Sequence, residues 1–143
     1  MKFLRYMTAV ILMAACVTES CAKQVKAEHF YMFGFAASFK DSTVYITDIQ
    51  DVQGVWVDTK TKFLLDRDSY SQQLRQWLAD KRQQTGRVCM VIFAKTKSKA
   101  EKKLAKLKKK YQGKNTLPYD ICYVSMEDFK FTPIETEIEA VSD

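Results

Sequence analysis

The chain has 143 residues, of which 47% are apolar and 13% aromatic. That composition excludes a disordered polymer and suits one globular domain with a real core. A formal net charge of +6 points toward anionic partners, while four glycines are too few for a glycine-rich phosphate cradle.

The N-terminus reads as an export signal. Lys2 and Arg5 precede Met7 to Ala15, an uncharged and mostly apolar run. The run is too short to span a bilayer as a helix and has the length of a signal's hydrophobic region. Residues 1–22 are therefore expected to be an address that is cut away, and two cleavage patterns compete. "MAAC" resembles the lipobox of bacterial lipoproteins, with Met13 where that family usually has Leu. Cleavage before Cys16 would leave its thiol to carry a lipid. Ser20-Cys21-Ala22 instead resembles an A-x-A site, and cleavage after Ala22 would leave Lys23 first. Either cut places the folded part outside the cytosol, periplasmic or extracellular, with membrane attachment only through a lipid on Cys16. Export argues against nucleic acid as the partner of the positive charge and for envelope polyanions.

Residues 23–29 are polar and read as a linker, and residues 30–131 as a single domain. Phe30 to Phe39 is aromatic-rich, Lys40-Asp41-Ser42 has turn chemistry, and Thr43 to Ile49 is β-branched and aromatic. Together they predict a β-hairpin. Residues 50–66 fit a short strand, a helical turn or a loop equally well. Asp68 or Ser69 is placed to cap a helix running to about Gln84, with Tyr70, Leu74, Trp77 and Leu78 on one apolar stripe. Arg87 to Ala94 is a nearly continuous apolar run, as in a strand covered on both faces or set mid-sheet. Ser98 and Glu101 form a capping-box pattern for a second helix ending near Tyr111, with Ala100, Leu104, Leu107 and Tyr111 as its stripe. Tyr119 to Ser125 is the last strand. Strand, helix and strand in this span predict a parallel pair with a right-handed crossover. Residues 132–143 form an acidic tail expected to fray.

These elements predict an α+β fold. It is a two-layer sandwich, with a mixed sheet of about four strands built from an N-terminal hairpin and a βαβ unit. Both helices are expected on one face.

Four kinds of candidate site follow. Lys99, Lys102, Lys103, Lys106, Lys109 and Lys110 share the helical arc opposite the apolar stripe. They offer a docking surface for anionic lipid or polymer, or else simply a solvated helix face. If the helices cover one sheet face, Tyr31, Phe33 and Tyr45 on the other, with Trp56, offer rings for a sugar or a protein partner. The same rings also suit the core, because large aromatics dominate burial. Asp48, Asp51, Asp58, Asp66 and Asp68 lie close enough in sequence for a small carboxylate-based hydrolase, but their spacing matches no calcium loop. Cys89 and Cys122 are either a disulfide or small buried hydrophobes.

His29, the only histidine, lies in the linker and is poorly placed as a catalytic base. No C-x-x-C or H-x-x-x-H pair is present for a metal. No catalytic residue, metal or cofactor is therefore expected.

Two resemblances add to this reading. "FGFAASFKDSTVYITDIQ" with "TKFLL" and "DFKF" resembles small uncharacterised exported proteins of Bacteroidota. It covers most of the mature chain and implies an envelope location, and it transfers no functional residue. Val88 to Val124 is similar to the second half of a sporulation-related repeat domain: Phe93 ends a strand, Ala100, Leu104 and Leu107 form an A-x-x-x-L-x-x-L helix, and Ile121 to Val124 form the next strand. That family binds peptidoglycan glycan strands on its sheet. The match covers about a quarter of the chain, and the first half departs from the family's strand–helix–strand.

The leading expectation is an exported, non-catalytic envelope domain that binds a glycan or protein partner. The hydrolase and the basic-helix anchor stand as alternatives.

Overall fold

A computed structural model describes residues 23–113 and 118–135. Both candidate cleavage sites, Cys16 and the tail beyond residue 135 lie outside the described residues. No helix among the described residues is long and apolar enough to cross a membrane.

The central strand is β2 (Tyr31–Ala37), with all five interior residues buried. Successive side chains of a strand point to opposite faces, so a strand buried throughout must be covered on both. β3 (Thr43–Thr47) pairs antiparallel with one edge of β2, as the hairpin prediction required. The outer strand β6 (Val88–Ala94) pairs antiparallel with the other edge over its whole length, from Tyr31↔Ala94 to Ala37↔Val88. β7 (Asp120–Val124) runs parallel to β3. The lateral order of the mixed sheet is therefore β6, β2, β3, β7.

β4 (Gln50–Asp51) continues β3 along β2 after a one-residue slip. Phe35 faces Ile46, but Met32 faces Gln50, so Asp48 and Ile49 both fall opposite Phe33, as in a β-bulge. The Gly34 N–H, left without a ladder partner there, donates to Thr47 Oγ1 at 2.7 Å.

The α+β class and the mixed sheet are as expected, but the two helices divide between the faces. α1 (Arg67–Arg82) puts Tyr70, Leu74 and Leu78 against Phe30, Met32, Ala36, Tyr45 and Val91. α2 (Lys97–Gln112) packs Leu104, Leu107 and Tyr111 against Phe33, Phe35, Val44 and Ile46. Even-numbered residues of β2 thus face α1 and odd-numbered ones face α2. A stripe on each helix says that each is covered on one side; it does not say on which side of the sheet. The expected adjacency of β6 and β7 also gives way: among the described residues β6 pairs with β2 alone, and β7 takes the far edge of β3. α2, about 24 Å long, carries the chain across both intervening strands.

Several boundaries differ from expectation. The supposed linker contains β1 (Gln24–Ala27), which pairs antiparallel with β5 (Val55–Asp58) in a small second sheet. Val52, Val55 and Leu64 from the ambiguous segment enter the α1-side core. α1 begins after Asp66, a left-handed residue (φ 56°) whose carbonyl accepts from the Ser69 N–H at 2.9 Å. The cap of α2 is Thr96, whose Oγ1 accepts from the Lys99 N–H, two residues before the expected Ser98.

After β7 the chain packs along the α1 side as far as Ile134. Phe129 and Phe131 are buried. The buried Gln50 amide donates to the Phe129 carbonyl (2.9 Å) and accepts from the Phe131 N–H (2.8 Å). Gln73 does the same for Thr132. Two side-chain amides therefore stand in for a neighbouring strand.

Candidate polyanion-binding surface

α2 carries eight lysines in sixteen residues, against a single Glu101. Lysine is a good helix former, and the helix is held by its apolar stripe: Ala100 is fully buried, and the Tyr111 ring lies 5.1 Å from Phe35. Lys99, Lys102, Lys103, Lys106, Lys109 and Lys110, the six predicted lysines, are all exposed, and of these Lys103 turns its amine back to the sheet edge. Like charges three or four residues apart, such as Lys102 and Lys106, repel by about 0.2–0.5 kcal/mol per pair.

No ion pair among the described residues offsets that repulsion. The ion pairs among the described residues are Lys26–Glu135, His29–Asp51, Arg82–Asp128 and Arg87–Asp41; none involves α2. The chain from Phe129 to Glu135 runs along the opposite, α1 side, where Glu135 meets Lys26 at 4.0 Å.

Lys103 and Lys108 also make directed contacts. Lys103 Nζ donates to the Phe93 carbonyl at 2.7 Å, at the open edge of β6, and sits 5.6 Å from the Phe93 ring. Lys108 Nζ lies 4.9 Å from the Tyr123 ring. At the C-terminal end of α2 a cleft of about 410 Å³ opens between helix and sheet, lined by Tyr111, Gln112, Pro118, Tyr119, Ile121 and Tyr123. Tyr111 and Tyr119 pack edge to face at 4.9 Å, and Gln112 Nε2 donates to the Tyr123 hydroxyl at 3.2 Å. Tyr123 remains 51% exposed. The sequence carried a signal for this cleft that went unused: Tyr119, Ile121 and Tyr123 alternate along one strand and so share a face, the face that α2 covers.

The predicted ring surface does not form. Phe33 (0% exposed) and Tyr45 (7%) belong to opposite cores, because a helix packs on each face of the central strands. Tyr31 and Trp56 are partly buried on different strands. Trp56 lies 6.0 Å from Lys26 Nζ, and its indole N–H is buried without a partner.

Of the aspartates, Asp66 and Asp68 line one open pocket at the start of α1, while backbone or local partners take up Asp48, Asp51 and Asp58. Asp48 accepts from the Met126 N–H, and Asp51 from the Phe30 N–H and His29 Nδ1 (2.7 Å). Asp58 accepts from the Lys60 and Thr61 N–H groups, which hold its carboxyl below the usual range. Asp66 and Asp68 sit at the start of α1. Among the described residues no three His, Cys, Asp or Glu side chains gather as a metal-binding set.

The cysteines are free: Cys89 is buried and Cys122 exposed. They lie in one row across the sheet, through Ala36 and Tyr45. Three inter-strand steps separate them by about 14 Å, far beyond disulfide reach. Burial pushes the Cys89 thiol's pKa up.

Compared with known proteins, the chain matches no family model, no curated protein and no solved structure.

Proposed function

We propose that the protein is an exported, non-catalytic envelope domain whose working surface is the lysine face of α2, docking on a polyanion. The observation that carries this reading is the set of six exposed lysines on one arc of α2 with no ion pair to any of them among the described residues. Charge repulsion within the helix favours an external counter-charge. The apolar stripe of α2 is spent in the core, so no second apolar face remains to enter a bilayer, as interfacial helices require. That favours a soluble or wall-bound polymer over a lipid surface. The scattered aspartates give the hydrolase reading no support, and the buried Phe33 and Tyr45 give none to ring recognition on the sheet.

The test is retention of the processed protein on an immobilised anionic polymer, eluted with salt. The wild type is expected to bind at low salt and to elute as screening shortens the charge interactions. Replacing Lys102, Lys106 and Lys109 by Gln should move elution to clearly lower salt. Identical elution of the two would remove the lysine face from the account.

A further inference from the structure

The lysines are not alone on their surface. At the end of α2 a tyrosine-lined cleft adjoins them, and two further helix residues bridge to it: Lys108 lies against the Tyr123 ring, and Gln112 bonds its hydroxyl. A pure counter-charge surface has no use for a half-exposed ring. Flat aromatic faces pack against the C–H faces of sugars, and phenol and amide groups pair with sugar hydroxyls. Ammonium groups beside them select carboxylated or otherwise acidic sugars.

We infer that the surface is built for an acidic polysaccharide, with one sugar unit seated in the cleft of Tyr111, Tyr119 and Tyr123 and the adjoining acidic units lying along the lysines of α2. This rests on the docking reading above. The cleft, at about 410 Å³, falls within the size of small-ligand sites. It is lined by Ile121, which packs on the α2-side core, and by the edge-to-face Tyr111–Tyr119 pair. The ring at its rim, Tyr123, is the most exposed of the three and stands on an edge strand, where a chain can approach without moving the sheet. Tyr123 recognises the sugar, and Lys106, Lys109 and Lys110 attract its charge.

The experiment compares three probes on the processed protein at low salt: polygalacturonate (acidic sugar chain), inorganic polyphosphate (charge without sugar) and anionic phospholipid vesicles. Each is measured with wild type, Tyr123→Ala and Lys106→Gln/Lys109→Gln. Tyr123→Ala is expected to weaken polygalacturonate about tenfold, a loss of about 1.4 kcal/mol, and to leave polyphosphate unchanged. The lysine variant is expected to weaken both. Tyr123→Phe, which keeps the ring, should retain most of the polygalacturonate affinity.

If the lysine variant weakens every probe while Tyr123→Ala weakens none selectively, the saccharide inference fails and the docking reading stands. Tighter binding to vesicles than to polygalacturonate would likewise overturn the saccharide assignment. If the wild type binds no probe, or the lysine variant binds all of them as the wild type does, both fall. Far-ultraviolet circular dichroism of each variant separates a lost contact from a lost fold.

Discussion

Leu74 of α1 leaves no room for a side chain on Gly34 of β2: a Cβ built on that glycine would lie 2.6 Å from Leu74 Cδ2. Phe131 and Thr47 would crowd it from other sides, at 3.2 and 3.3 Å. The glycine thus sets how closely α1 approaches the central strand, and Leu74 itself is completely buried. Gly34→Ala is expected to destabilise the fold by about 1–3 kcal/mol through overpacking, read as a lower urea midpoint at unchanged slope. A neutral or stabilising result would mean that α1 shifts without penalty.

Gln50 holds both backbone groups that flank Lys130. Gln50→Ala would bury a carbonyl and an N–H without partners, at about 1–3 kcal/mol each. The expected outcome is a less stable protein in which limited proteolysis cuts first around residues 129–135. Gln73→Ala, at a wetter position, should have a smaller effect in the same assay. Equal effects would contradict the difference in burial.

Arg87 is 5% exposed and forks between Asp41 (2.8 Å), the Thr43 carbonyl (2.8 Å) and Gln84, with its guanidinium 4.9 Å from the Tyr45 ring. Lysine cannot reproduce that fork, so Arg87→Lys is expected to cost about 1–3 kcal/mol. The Thr43 N–H, and then Arg87, hold the Asp41 carboxyl below its usual range; Asp58 is lowered by its turn amides. A pKa lower in the folded state than in the unfolded one gives stability that is present above about pH 4 and lost as pH falls through the folded value. Urea midpoints should therefore drop on acidification below pH 4, and the drop should be shallower in Asp41→Asn/Asp58→Asn. Parallel curves for the two proteins would contradict the assignment.

The cysteines give a chemical check on the sheet order. Native protein treated with a thiol reagent and mapped by peptide mass should carry label at Cys122 and none at Cys89, which reacts only on unfolding. A Cys89–Cys122 crosslink in the folded protein would contradict the order β6, β2, β3, β7.

Much of the fold was legible because it depends on local pattern. Val44 and Ile46 alternate with Tyr45 and Thr47, and that alternation showed a strand. Tyr70, Leu74 and Leu78 recur at helical spacing and showed a helix. What the pattern lacks is any statement of which edge or face an element takes. β7 is as apolar beside β3 as beside β6, and the stripe of α2 reads the same above or below the sheet. The placement of Phe33 and Tyr45 turns on that one ambiguity: an open sheet face requires both helices on one side, and the helices divide. The lysine surface was legible because exposure follows from the helix alone. The tyrosine cleft was not, since it needs Tyr111 and Tyr123, twelve residues apart, to be brought together by the return of the chain at β7.

The most direct measurement of the central claim is lysine footprinting: amine acetylation of the purified protein, with and without bound polygalacturonate, quantified at each lysine by mass spectrometry. The account predicts protection concentrated at Lys99, Lys102, Lys103, Lys106, Lys109 and Lys110, while Lys60 and Lys62, exposed in the turn after β5, react as before. Protection of Lys60 and Lys62 with α2 left reactive would contradict it.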